Sequence, residues 1–407
     1  MNKSGFITLL FLATIFLSNM GAMAQSSGVL NGQDSTFRPI TTAVPFLSFA
    51  PDSRASGMGD VGVATSADAN SVHWNNGKLA FIENNYGFSM SYSPWLGNIV
   101  DDMALYYLSG YYKIDRVQTV AVSMRYFDLG SIQLTDGNNQ PLGIENPKEF
   151  AFDATYSRKL SENFGIGVTA RYINSNLIGA VGGQGKVGQS VAVDIGTYYT
   201  KDIVLGATNS NLSFGANISN IGQKVTYTDD SQEDFIPINL RLGTALKMEL
   251  DPFNSLTFAV DFNKLMVPSP PIYQLDDDGN KIPDNNNPGS FVIERGKDPN
   301  RNLISGMFGS FSDAPDGFKE EMQEIMIASG VEYLYKDVFA ARLGYFYEHV
   351  NKGGRQYFTL GAGFKYNVFG IDFSYLIPGD QNNPLAETVR FTLLFNFDKA
   401  EPVEAAN

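Results

Sequence analysis

Hydrophobic and polar residues alternate with a period of two along most of the chain. In TVAVSMRY (119–126), Val120, Val122, Met124 and Tyr126 share one face, and Thr119, Ala121, Ser123 and Arg125 share the other. FGIGVTARY (164–172) repeats the pattern with Phe164, Ile166, Val168, Ala170 and Tyr172 opposite Gly165, Gly167, Thr169 and Arg171. Near the C-terminus TVRFTLLFNF sets Val389, Phe391, Leu393, Phe395 and Phe397 against Arg390, Thr392 and Asn396. This is the period of β-strands with two different faces. It predicts strands over 86–92, 103–114, 119–127, 149–158, 164–173, 189–200, 211–219, 239–249, 255–263, 326–334, 338–347, 356–366, 369–375 and 387–397. The count is about fourteen, an even number as in bacterial outer-membrane barrels, and many segments have the length of a tilted membrane-crossing strand.

The connections alternate between short and long. Ile114-Asp115-Arg116, Leu160-Ser161-Glu162, Lys336-Asp337 and Asn367-Val368 are short; those around 128–148, 174–188, 221–238 and 264–325 are long. Short periplasmic turns and long extracellular loops give this asymmetry. It places both chain ends in the periplasm and 264–325 outside the cell. One face of the strands must meet lipid, where an arginine near mid-membrane costs about 2–4 kcal/mol. Turning Arg125, Arg171, Arg241 and Arg390 to lipid would cost on the order of 10 kcal/mol. They are therefore expected in the lumen. Alternation puts Asp153, Asp194, Asp261 and Asp372 on the same inner face, as a structural ion network or as pore-selectivity residues.

A bore of this size needs filling, because it lies between side-chain-filled small barrels and open porins. The segment 25–85 lacks strand alternation and contains PDSRASGMGDVGVATSADANSVHWNNGKLA (51–80). Glycines at 57, 59 and 62 permit close backbone turns, and the region of Asp68 caps a helix running through Trp74. The stretch is read as a luminal plug, locked by Asp60, His73, Trp74 and Asn75. The fold class expected is all-β: a transmembrane antiparallel β-barrel with an N-terminal luminal plug and long extracellular loops.

Composition adds compartment. Lys3, the apolar run Phe6–Leu17 and Ala22-Met23-Ala24 form a secretory signal with cleavage before Gln25. The expected layout is signal peptide 1–24, N-terminal segment and plug 25–85, barrel 86–397 and periplasmic tail 398–407. With no cysteine, disulfides and a lipoprotein anchor are excluded. Abundant Tyr and Phe suit aromatic girdles. A formal net charge of −14 argues against nucleic-acid binding.

On the Gly-Met-Gly-Asp and His-Trp-Asn-Asn segments, the strand rhythm and the long acidic outer loop, the chain closely resembles the PorV family of the type IX secretion system, over essentially its whole mature length. The wider set is similar to FadL, the long-chain fatty-acid transporter, where the corresponding motif reads Asn-Pro-Ala; here it is Asn75-Asn76-Gly77, which argues against a fatty-acid route. The resemblance implies a carrier that binds the shared C-terminal domain of secreted cargo at the translocon and delivers it to a cell-surface attachment complex. The partners it implies are the translocon barrel SprA (also called Sov), the sortase-like PorU, cargo C-terminal domains and outer-membrane lipid. No cofactor is implied. The alternative is a FadL-like transporter of hydrophobic small molecules.

In the outer loop Leu303, Ile304, Met307, Phe308 and Phe311 form an apolar cluster, a partner-binding surface or a cover folded over the barrel mouth. Trp95 and Leu96 either extend that surface or anchor the rim. Phe318, Met322 and Ile325 recur at helical spacing behind Asp316, predicting a short amphipathic helix for partner contact or simple packing. Asp276, Asp278, Asn280 and Asp284 resemble a calcium loop, but Lys281 and Asn287 replace its glycine and glutamate; a solvated acidic turn is the better reading. Catalysis has little to work with: His73 and His349 are the only histidines, and no serine adjoins His349. Lipid hydrolysis is a distant third reading, and the chain is expected not to be an enzyme.

Overall fold

Fourteen antiparallel strands close into a barrel in chain order: β1 Tyr86–Pro94, β2 Ala104–Lys113, β3 Gln118–Asp128, β4 Lys148–Lys159, β5 Phe164–Asn176, β6 Gly188–Leu205, β7 Thr208–Gly222, β8 Asn239–Asp251, β9 Asn254–Leu265, β10 Met326–Tyr335, β11 Phe339–Tyr347, β12 Gln356–Tyr366, β13 Phe369–Pro378 and β14 Val389–Phe397. Closure is direct, since Tyr86 of β1 stands opposite both Tyr112 of β2 and Phe397 of β14. Every strand falls on a segment of period-two sequence. The computed structural model describes residues 37–96, 102–135, 137–177, 186–227, 233–287, 289–379 and 388–398. The expected signal peptide 1–24, residues 25–36 and the tail from 399 lie outside them. The chain divides into Met1–Phe37 and Arg38–Asn407, and the barrel belongs to the second unit.

One end of the barrel carries tight turns and the other the long connections. Lys336 and Asp337 have φ of 55° and 53°, the left-handed pair that a two-residue hairpin needs to match strand twist. Gly206 and Asn367 serve the same purpose at φ of 64° and 51°. At the opposite end 129–147 forms a small hairpin, Ile132–Thr135 with Pro141–Glu145. The longest connection, 266–325, holds Ile272–Tyr273 paired with Ile293–Arg295 and two short helices.

The barrel is apolar outside and polar inside. Phe88, Met90 and Tyr92 of β1 face outward and are exposed, while the intervening Ser89, Ser91 and Ser93 are buried. Val122 and Met124 repeat this beside Ser123 and Arg125. Arg125, Arg171, Arg241, Arg390, Asp153, Asp194, Asp261 and Asp372 are all buried on the inner side. Among the described residues no helix is long and apolar enough to cross a membrane; the strands supply the crossing surface.

The N-terminal segment runs through the lumen and touches the wall around its circumference. It includes helices α1 Ser53–Ser56 and α2 Ser71–Trp74 and a 3-10 stretch Asn76–Phe81. Ser53 N–H donates to Thr392 on β14, Gly59 N–H to Thr359 on β12, and Asn76 Nδ2 to Thr169 on β5. The wall is glycine where the plug backbone comes nearest. A Cβ on Gly167 would stand 2.5 Å from the Asn76 carbonyl carbon, and one on Gly361 would stand 3.0 Å from Gly57 Cα. Gly59, with φ of 74°, makes the turn that brings this backbone against β11.

The face assignment is testable on one strand. Val122→Arg, which turns a charge outward, should destabilise the barrel by about 2–4 kcal/mol in urea unfolding from lipid vesicles; an unchanged midpoint would contradict the assignment.

Candidate functional site

Two regions carry organised chemistry: the plug lock and the outer rim. In the lock, Asp52 caps α1 by accepting from Ala55 N–H at 3.0 Å, and its other oxygen accepts from Trp74 Nε1 at 2.6 Å. One carboxylate thus joins the two plug helices. The indole also lies under a cation, with the Arg241 guanidinium 5.0 Å from its ring. Arg125 donates to His73 Nδ1 at 2.5 Å and to the carbonyl oxygens of Phe46 and Leu47 at 3.1 and 2.7 Å. His73 is therefore a buried acceptor held by the wall.

The next residues anchor the plug sideways. Asn75 Nδ2 donates to the carbonyl oxygens of Val63 and Thr197, both at 2.9 Å, and its Oδ1 accepts from Gly77 N–H. The Asn75-Asn76-Gly77 sequence is thus a bracket between plug and wall. Asp60, at φ of 65°, accepts from Tyr357 Oη at 2.6 Å. Asp68 does not itself cap α2; Asn70 occupies the N-cap, and Asp68 Oδ1 accepts from the Asn70 N–H at 2.9 Å.

Charges on the wall pair across strands. Asp153 stands opposite Arg171 and binds it at 2.6 Å, with Asp194 at 3.0 Å completing the set. Glu332 stands opposite Arg342, which also binds Asp372, and Glu332 reaches inward to Arg54 of the plug at 2.9 Å. Arg54 further binds Asp68. Asp261 departs from the expected arginine pairing: it accepts from the plug N–H groups of Gly62 and Val63 at 2.7 and 2.9 Å. Lys78, buried, donates to the Gly62 carbonyl oxygen and to Thr65. Arg54, Asp52 and Lys78 were missed because they lie in the plug, outside any strand alternation, and Glu332 joins them only through Arg54, 278 residues away in sequence.

At the outer mouth the apolar cluster divides. Trp95 is only 6% exposed; it stacks on Phe49 at 4.2 Å and meets Phe127 edge-on. Leu96 is partly buried in the same cluster, which also contains Met307 and borders Leu303. These four close the mouth over the plug. Ile304, Phe308 and Phe311 remain open to the outside, Phe308 at 64% exposure. The geometry follows from helix α3 Leu303–Gly309, capped by Asn302, whose Met307 side faces in.

Helix α4 Phe318–Gln323 sits nearby with its acidic side held down. Glu320 binds Arg38 at 2.7 Å and Lys352 at 2.6 Å; Lys264 binds Glu321 and Glu324 at 3.1 and 2.5 Å. Asp316 does not cap this helix. It binds Arg38 and Arg295 instead, and Gly317 takes the N-cap position. Burial alone would raise the Glu320 carboxyl, but the hydrogen bonds from Arg38 and Lys352 outweigh it and hold the group at about 2.

The remaining chemical candidates have structural roles. Asp276 Oδ1 accepts from the N–H groups of Asp278 and Asn280, closing an acidic turn with Gly279 at φ of 82°. Asp284 likewise accepts from Asn286 N–H. Among the described residues no group of three or more His, Asp or Glu side chains is placed to hold a metal. His349 Nδ1 accepts from Asn351 N–H at 3.2 Å and caps a 3-10 turn.

Residues 31–272 match the family model described as "Type IX secretion system protein PorV". The chain belongs to the PorV family. It is an outer-membrane β-barrel component of type IX secretion. No curated protein matched it. Among solved structures it is similar to the Pseudomonas putida toluene transporter TodX, with 10% identity, TM-score 0.48, and coverage of 86% of this chain and 99% of the other. It is also similar to a Pseudomonas aeruginosa FadL homologue, at 9% identity and TM-score 0.45 over 88% and 99% of the two chains. The Ralstonia pickettii toluene transporter TbuX gives 10% identity and 0.44 over 85% and 98%.

Two outcomes test the site. Trp74→Ala removes a buried ring and leaves Asp52 half-paired, so barrel stability should fall by about 3–5 kcal/mol in chemical denaturation; no change would remove Trp74 from the lock. For Glu320, a folded-state value below the ordinary 4.5 means stabilisation that is complete above pH 4.5 and lost as pH falls towards 2. Rate-corrected amide exchange over 313–325 should therefore accelerate several-fold between pH 5 and 2.5; equal protection at both would refute the coupling.

Proposed function

We propose that this PorV-family barrel is a non-enzymatic carrier that binds the C-terminal domain of secreted cargo at the translocon and delivers it to the cell-surface attachment complex. The partners in this reading are the translocon barrel SprA (Sov), the sortase-like PorU complex and cargo C-terminal domains. The observation that carries it is the distribution of polarity. The lumen is filled by a plug fixed through buried charges, whereas large apolar side chains stand open at the outer rim.

A transporter of hydrophobic small molecules would need an apolar route past the plug. Here the plug meets Arg125, Arg241, Asp261 and Glu332 on its way around the wall. The apolar groove of about 390 Å³ bounded by Phe258, Val331, Leu343 and Phe358 lies on outward-facing strand positions instead. Those features support a sealed lumen and a working exterior. The docking residues in this reading are Ile304, Phe308 and Phe311, with Leu303, Met307, Trp95 and Leu96 as the packed base beneath them.

The test is affinity capture of the tagged barrel from outer membranes, with co-purifying proteins identified by mass spectrometry. Secreted proteins sharing a C-terminal domain should be recovered. An Ile304→Asp/Phe308→Asp variant that still folds should lose them at least tenfold. Recovery of the barrel alone with a bound apolar small molecule would overturn the carrier reading in favour of transport.

A further inference from the structure

The rim contains one lysine on the wrong face. Along β9, Asp261 and Asn263 point inward and are buried, while Phe258 and Phe262 point outward and are exposed. Alternation therefore directs Lys264 outward, in the same row as Phe262. A lysine there would stand at the top of the lipid-facing band. It is nevertheless only 7% exposed. Helix α4 covers it through Glu321 and Glu324, and the Phe311 ring lies 5.5 Å from its ammonium.

This arrangement fixes which way α4 points. Its carboxylates are held by three cations from three separate segments: Arg38, Lys264 and Lys352. The acidic side is thus spent on the protein, and the opposite side presents Phe318 and Met322, at 80% and 51% exposure. That is the reverse of a helix packed on a soluble core, where the apolar side is buried. Lys319 is also exposed beside them.

We propose that the Phe318/Met322 face of α4 is seated in the outer leaflet of the membrane, extending the lipid-facing surface of the barrel beyond its strands. The support is continuity. Gln323 ends the helix three residues before β10 begins at Met326, and Ile327, the first outward residue of β10, pairs with outward Phe262 and with Tyr347. The covered lysine, the exposed aromatic and the lipid-facing row therefore share one side of the rim. A helix with one apolar side next to such a band lies in the interface, with a lysine able to extend its ammonium towards headgroups. The ion cluster around Lys264 then has a second consequence: it removes from lipid a charge that the strand would otherwise present. The proposal rests on the outer-membrane barrel and not on cargo binding, so the capture experiment and this one can fail independently.

The chain has no cysteine, so single cysteines can be placed and labelled cleanly. Phe318→Cys carrying an environment-sensitive fluorophore would be reconstituted in phosphatidylcholine vesicles, with Asp277→Cys in the acidic turn as the water-exposed control. Heat-modifiable gel migration would verify folding of both. The expected result is blue-shifted emission at 318 that falls at least twofold when the vesicles contain phosphatidylcholine with a nitroxide high on its acyl chain, and no such quenching at 277. Water-like emission at 318, quenched by aqueous iodide, would overturn the proposal. Blue-shifted emission without nitroxide quenching would also overturn it, because the site would then be covered by protein, either the loop itself or a second copy.

Discussion

An arginine at mid-membrane costs about 2–4 kcal/mol if it faces lipid, yet five of the barrel strands named above carry a buried arginine: Arg125, Arg171, Arg241, Arg342 and Arg390. Each must be turned inward and, once inward, must find a partner, since breaking a buried pair costs about 3–5 kcal/mol. For Arg125, Arg171, Arg241 and Arg342 the architecture answers both demands. Arg171 takes two wall aspartates. Arg342 takes Glu332 and Asp372. Among the described residues Arg125 pairs with no wall carboxylate and takes plug atoms, His73 and two carbonyl oxygens. The plug is therefore part of the solution to the charge problem, beyond filling space. A barrel without it would leave Arg125 without those three acceptors, and Asp261 without its two N–H donors.

The glycine-rich run 51–80 makes sense in that light. A plug that pairs with the wall through its backbone must approach closely, and side chains would hold it off. Glycines occur on both sides of the contact, Gly57 against Gly361 and the Gly59 turn against β11. Between these contacts the segment supplies its own ties. Asp52 joins α1 to Trp74, and Asn75 joins the turn at Val63 to β6. The result is a plug fixed at many separated points.

Strand positions, the inward arginines and aspartates, and the existence of a plug were legible because they follow from local alternation and from the cost of charge in lipid. Partner choice was not. Glu332 and Arg342 could have been found by the same alternation, whereas their convergence with Arg54 depends on how the plug threads the bore. The rim shows the other limit. Phe318 and Met322 signalled a short amphipathic helix, which ends at Gln323, before Ile325, but periodicity does not say which side faces the protein. Here three cations from distant segments capture the acidic side and turn the apolar side outward. Trp95 illustrates the same point, since its neighbour Phe49 belongs to the plug segment and only the closed barrel brings them together.

The proposed carrier role requires a closed bore with the working surface outside it. Planar-bilayer recording of the purified barrel tests that most directly. If the plug is locked as described, insertion should produce no stable stepwise conductance at moderate voltage, and loosening the lock through Trp74→Ala should permit it. Steady open-channel conductance from the unaltered protein would contradict the account, because an open lumen would return the conduit reading to first place.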